Sequence, residues 1–296
     1  MDLIKRVKSF SKLEQTKFTN LLESPRTKIA HIEFTSKCNL RCVFCYVSQP
    51  NYKGVDLDIE TMESIIESLK SRNVKIVTVS GHGETTIYKN WNLLCNKMLD
   101  AGMHLHIISN FAKEFSQEEL KTLSRFKSIE ISCDTNDPEL FGKLRRGADL
   151  KIICLNILRL RAIMIKVGRK SPSISLSCVV SDKNIFNLKE YVAFGKALCV
   201  NHFNFCNLTK YPDVQGALNV KHITEMPIDL LQKAQESLNE TFKFLKDSNI
   251  EYHVQQGLLD TLEQKIKSLQ EVNHNSINSE KVMKIEKKNI QKKSEK

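Results

Sequence analysis

Between residues 28 and 211 the chain carries six short apolar runs of strand character with a stretch of helical apolar spacing between each run and the next, and this alternation most restricts its fold. The strand runs are Ile29 to Phe34, Lys75 to Ser80, His104 to Ser109, Ser128 to Cys133, Ile174 to Val180 and His202 to Cys206. Helix signals fall between them. Asp58 precedes the stripe Ile59, Met62, Ile65, Ile66 and Leu69, and Asn90 precedes Trp91, Leu94, Cys95 and Met98, with Gly102 as the stop. Ser116 and Glu119 have capping-box spacing, Asp137-Pro138 stand in cap-then-proline order, and Leu188 to Leu198 reads as a helix. Strands joined through helices pair in parallel with right-handed crossovers. Six such units close partly into a barrel or form a doubly wound sheet, and periodicity does not choose between them.

In parallel β/α folds, ligands sit beyond the C-terminal ends of the strands, where loops converge and helix N-termini offer free N–H groups. The loop after the first strand run carries Cys38, Cys42 and Cys45 with C-x3-C-x2-C spacing. Thiolates suit zinc or iron-sulfur clusters, and a structural zinc or an ordinary cluster needs one more protein ligand. Three cysteines on a cluster leave one iron open to an outside ligand. On spacing alone, a zinc knuckle or unrelated loop cysteines remain alternatives.

With Phe44 before the third cysteine, the loop resembles that of the radical S-adenosylmethionine (radical SAM) enzymes. The resemblance implies a partial (β/α)6 barrel with a helical C-terminal extension. It also implies a 4Fe-4S cluster on Cys38, Cys42 and Cys45, S-adenosyl-L-methionine on the open iron, and reductive cleavage to a 5'-deoxyadenosyl radical. After the second strand run, Gly81-His82-Gly83-Glu84 is similar to the family's Gly-Gly-Glu motif at the methionyl amino group. Glycine lets the backbone approach the ligand and Glu84 would supply an acceptor, while His82 departs from the pattern. Ser109, Asn110, Ser132 and Asp134 resemble family positions near the methionyl and ribose groups, although short polar residues at strand ends are also ordinary caps. Arg145 would meet the cofactor's carboxylate, or be a surface arginine. Val180 would lie under the adenine, or be core. The resemblance assigns no catalytic residue beyond the cluster, and it implies an electron donor such as a flavodoxin or ferredoxin.

The core is most similar to SPASM- and twitch-type members, in segments such as Asp134-Thr135-Asn136-Asp137-Pro138 and Leu144-Arg145-Arg146-Gly147. No cysteine follows Cys206, so the auxiliary-cluster cysteines of those members are missing. Cys133 and Cys206 fall near strand ends, where a hydrogen-donating thiol is conceivable and a small apolar filler is the commoner use. The faces of His31 and Glu33 are not assigned by the pattern.

At 296 residues and 41% hydrophobic, the chain supports one large core. Four parts are expected: a lead-in helix over 1–27, the core over 28–211, a mainly helical extension over 212–274, with a strand run at Ile250 to Val254, and a basic, disordered tail over 275–296. Nine cysteines without an export signal point to a reducing, cytoplasmic setting. No apolar run approaches the ~18 residues of a membrane span. The net charge of +11 is partly local, since Lys281 to Lys296 holds seven lysines against Glu286 and Glu295. A solvated terminus explains that run better than nucleic-acid binding. The expected activity is C–H activation on an unknown substrate, a peptide, protein or small molecule. A non-catalytic cluster- or SAM-binding scaffold and a zinc-binding structural protein are the alternatives.

Overall fold

The computed structural model describes residues 28–270 apart from 171, 210 and 212–218. Seven parallel strands form one sheet: β1 (Ile29–Ile32), β3 (Ile76–Val79), β4 (His104–Ser109), β5 (Ser128–Ser132), β7 (Ser173–Val180), β8 (His202–Asn207) and β9 (Glu251–Val254), in that spatial order. Each strand joins on the same side of its predecessor. With right-handed crossovers, every connecting helix then falls on one face, whereas a doubly wound sheet needs its order to reverse. The strand order therefore selects the singly wound, open-barrel arrangement. Two short strands, β2 (Arg41–Cys42) and β6 (Arg145–Arg146), form a separate antiparallel pair.

The connecting helices are α1 (Ile59–Ser71), α2 (Trp91–Asp100), α3 (Gln117–Leu123), α4 (Pro138–Leu144), α5 (Leu150–Lys166), α6 (Leu188–Ala197) and α7 (Ile228–Asp247), and α8 covers 258–270. Local caps set most starts. Asp58 accepts from the Thr61 N–H, Ser116 and Glu119 complete their capping box, and Asp137 accepts from the N–H groups of Glu139 and Leu140. Asn90 stands at the start of α2 in a left-handed conformation (φ 63°) and makes no side-chain cap.

Two features extend the sequence pattern. The strand run at Ile250 to Val254 pairs with β8, so α7 and β9 make a seventh unit of the same sheet. Helix α5, opened by Asp149, lies between the Asp137-Pro138 helix and the fifth strand run. The lead-in helix and the basic tail lie outside the described residues.

Along the strands, alternate residues such as Val77, Val79, Leu105, Ile107, Ile129, Ile131, Leu176, Phe203 and Phe205 are buried in one core with the helices. The intervening positions present His31, Thr78, His106, Glu130, Ser177 and Asn204 on the other face. The polar face is therefore the side left free for a ligand. Among the described residues, no helix is long and apolar enough to cross a membrane.

Candidate functional site

The cysteine loop leaves β1 and is tied down at both ends. Cys42 pairs with Arg145 in the β2–β6 ladder, and the Val43 N–H donates to the Leu144 carbonyl at 2.9 Å. Upstream, the Glu84 N–H donates to the Lys37 carbonyl at 2.8 Å. A Cβ on Gly83 would stand 2.2 Å from the Thr35 carbonyl oxygen and 2.4 Å from that of Lys37. The glycine there is required by chain-on-chain packing, whatever else approaches it. Gly81 is constrained likewise by Glu33, whose carboxylate would lie 2.3 Å from an added Cβ.

Glu33 and His31 now have a place. Glu33 Oε1 accepts from the His82 and Gly83 N–H groups at 2.6 and 3.2 Å, and His31 Nε2 contacts the Ser80 carbonyl and hydroxyl at 2.7 and 2.9 Å. The first strand thus organises the turn after β3. Their alternation with Ile32 and Phe34 was readable, but the partners were not, because they lie about fifty residues downstream.

Glu84 is buried, and its carboxylate is taken up by the protein. Oε1 accepts from the Thr86 N–H and hydroxyl and from the Ser109 hydroxyl at 3.0, 2.7 and 2.9 Å, and Oε2 accepts from the Asn110 N–H at 2.7 Å. Asn110 so fixed points its amide at the loop, with Nδ2 2.8 Å from Asn39 Oδ1 and 3.7 Å from Cys38 Sγ. Asn110 reaches the cysteine loop through these bonds, whereas the Ser109 hydroxyl stops at Glu84. As the side chains stand, Glu84 acts as a positioning carboxylate.

Arg145 is buried, so the surface reading does not apply to it. Its Nε and Nη2 donate to Asp134 at 2.7 and 3.1 Å, its Nη1 lies 3.9 Å from Cys42 Sγ, and its guanidinium sits 5.6 Å from the Phe44 ring centroid. Asp134 also accepts from the Val179 N–H at 2.9 Å. Burial works against the charge of Arg145, but Asp134 and then Cys42 outweigh it and raise its pKa. Ser132 is half-buried on the polar face, beside Ser177 in the register. Val180 is buried with the core side chains, and Val179 is its half-buried neighbour on the polar face.

Around the mouth, the Tyr46 ring meets Tyr52, His82 and Tyr211 edge-on at 5.5, 5.8 and 5.5 Å between centroids. His82, which departs from the glycine pattern, finds its partner there. Tyr46 could have been suspected from its place after Cys45; nothing in the sequence pointed to Tyr211. Cys206 Sγ lies 3.6 Å from Ser177 Oγ, whereas Cys133 is fully buried.

The donor set fits a thiolate-held cluster. All three thiols are free, and N–H groups of Leu40, Asn110 and Arg145 already approach the sulfurs of Cys38 and Cys42. Such donors stabilise sulfur that carries negative charge and tune a cluster's potential. Without a ligated metal, burial pushes the Cys42 thiol up to about 12 and raises that of Cys38, which the Leu40 N–H partly offsets. Among the described residues, no three His, Cys, Asp or Glu side chains stand gathered as for a metal ion. The fit therefore rests on the donors and the loop that carries them.

A model of the Radical SAM superfamily matches residues 32–191, more than half of the chain. The tungsten-containing aldehyde ferredoxin oxidoreductase cofactor-modifying protein of Pyrococcus furiosus is 24% identical over 188 residues, which is 61% of this chain and 51% of that protein. The sporulation killing factor maturation protein SkfB of Bacillus subtilis is 28% identical over 108 residues, covering 36% of this chain and 26% of its own. Streptococcus suis SuiB superimposes with a TM-score of 0.61 bound to S-adenosylmethionine and 0.59 bound to its precursor peptide SuiA. Both SuiB structures have 17% identity and cover 83% of this chain and 56% and 54% of SuiB respectively. The chain spans about half the length of the first of these relatives and of SuiB.

Proposed function

The chain belongs to the radical SAM superfamily, and on that premise we propose that it cleaves S-adenosylmethionine reductively to begin C–H activation on a peptide. The observation that carries the reading is the three-cysteine loop, held over the strand ends by Glu84 through Asn110 and by Asp134 through Arg145. Cys38, Cys42 and Cys45 are the residues that would hold the 4Fe-4S cluster. Bound there, such a cluster would supply the single electron needed to break the C5'–S bond of S-adenosylmethionine into methionine and a 5'-deoxyadenosyl radical. The chain's own groups orient the sulfurs, with the Leu40, Asn110 and Arg145 N–H groups aimed at two of them. The Phe44 ring and the Arg145 guanidinium wall that side of the loop. Gly83 allows the turn after β3 to close onto Thr35 and Lys37.

The substrate class is supported by the polar face below the loop. The Asn204 amide donates to Glu130 at 2.7 Å, and Ser177 and Cys206 lie alongside, a surface that can meet the N–H and C=O groups of a peptide. The structure of SuiB with its precursor peptide supports the same choice. Anaerobic reconstitution followed by dithionite and S-adenosylmethionine should release 5'-deoxyadenosine, measured by chromatography. The C38A/C42A/C45A variant should bind no iron and release none. A reconstituted, reduced wild-type chain that binds S-adenosylmethionine and yields no 5'-deoxyadenosine would overturn the reading in favour of a non-catalytic cluster-binding protein.

A further inference from the structure

Helix α5 has two apolar sides, and only one is used by the core. Ile153, Ile157, Leu160 and Met164 are buried. Away from them, Leu155, Leu158, Ala162 and Ile165 follow at intervals of three, four and three residues, and Leu155, Leu158 and Ile165 are 46%, 53% and 80% exposed. That spacing is the seam of a helix that packs along another helix.

The charge around the stripe is one-sided. From Leu150 to Lys170 there are six cations, Lys151, Arg159, Arg161, Lys166, Arg169 and Lys170, and no acidic residue. Other surface helices mix signs, as α1 does with Glu60, Glu63, Glu67 and Lys70. Beside the C-terminal half of α5, a cavity of about 230 Å³ is lined by Lys127, Arg161 and Lys170, which extends the basic surface.

We propose that this face of α5 docks an acidic amphipathic helix of a partner chain, with apolar side chains along the stripe and carboxylates against the flanking cations. Charge complementarity decides the occupant. A second copy would bring the same cations, and the chain's own ends are basic too, with six cations against three acids in 1–27 and seven against four in 271–296. The narrow seam, without an aromatic residue from Leu150 to Lys166, also differs from the broad Trp- and Phe-bearing face that settles into a lipid surface. The proposal stands independently of the radical chemistry.

The probe is a fluorescein-labelled peptide of three heptads with Leu at a and d and Glu at e and g, whose own repulsion keeps it from pairing with itself. Titrated with the full chain, it should show saturable anisotropy that weakens with added salt. Binding should fall at least ten-fold with L158D/I165D and with R159E/K166E, while far-UV circular dichroism stays unchanged. The charge variant decides the matter if the apolar one fails to fold, since Arg159 and Lys166 make no hydrogen bond or ion pair among the described residues. No binding, or equal binding of a Lys-for-Glu peptide or by the R159E/K166E variant, overturns the proposal. So does capture of phosphatidylglycerol vesicles that is lost in R159E/K166E while the peptide stays free, which would assign the face to a membrane.

Discussion

Glu84 and Asp134 are both buried at the ends of strands, and each directs a donor toward a different cysteine, but Glu84 accepts only from uncharged groups whereas Asp134 faces a guanidinium. On the Glu84 side, a carboxylate gathers two hydroxyls and two backbone N–H groups, and Asn110 carries the result to Cys38. On the Asp134 side, the charge is matched first, and Arg145 then reaches Cys42. The difference has an energetic consequence. Losing Glu84 leaves polar groups short of a partner, while losing Asp134 leaves a cation buried alone.

The largest effect should follow from the ionic side. Asp134→Ala strands Arg145, and a buried charge deprived of its partner costs about 3–5 kcal/mol. Urea unfolding of the metal-free, reduced protein should show a loss of that size. Adding Arg145→Met in the same chain should recover most of it, because an apolar pair no longer has a charge to solvate. If D134A and D134A/R145M are equally unstable, the ion pair is not what distinguishes this side.

A smaller loss is expected on the neutral side. In Glu84→Gln, the amide oxygen can keep the Thr86 and Ser109 bonds, but its NH2 then faces the Asn110 N–H, donor against donor. One lost bond and one unsatisfied donor cost about 1–3 kcal/mol. Because Asn110 also faces Cys38, iron retention by the reconstituted protein should fall together with the urea midpoint. Unchanged iron retention beside a lowered midpoint would show that Glu84 supports the fold alone.

Much of this contrast was out of reach of the sequence, for a physical reason. Strands, caps and the cysteine spacing are local patterns, so β1, β3, β4, β5, β7 and β8, the caps at Asp58, Ser116 and Asp137, and the three-thiol loop could be read directly, while the two-residue strands β2 and β6 could not. Glu84, Asp134 and Arg145 could be named, but their partners are 25, 45 or 103 residues away, and a motif match does not say which groups saturate a carboxylate. The same applies to Gly83, whose close neighbours are the Thr35 and Lys37 carbonyls. Helix α5 escaped notice because apolar residues cover two of its sides, which blurs the period that marks an amphipathic helix. The seventh unit was legible as a helix and a strand, and its pairing with β8 was not.

The smallest effect tests how firmly burial, with Asp134 beside it, holds the proton of Cys133. Burial, and next repulsion from Asp134, pushes the Cys133 thiol from 9.0 up to about 12. Below pH 9 the thiol is protonated in both the folded and the unfolded chain, so it adds no pH dependence. Between pH 9 and 12 the unfolded chain gives up the proton and the folded chain keeps it, so stability falls as pH rises. For one thiol, the loss from pH 9 to pH 10 is about 1 kcal/mol. Cys133→Ala should lower stability by a fixed amount at neutral pH and make the decline from pH 9 to 10 shallower by that 1 kcal/mol. Cys95 and Cys178, both raised by burial, retain their share of the slope in either chain. A C133A urea profile that declines as steeply as wild type would mean that the thiol beside Asp134 ionises as freely folded as unfolded, and that neither its burial nor the nearby carboxylate holds the proton.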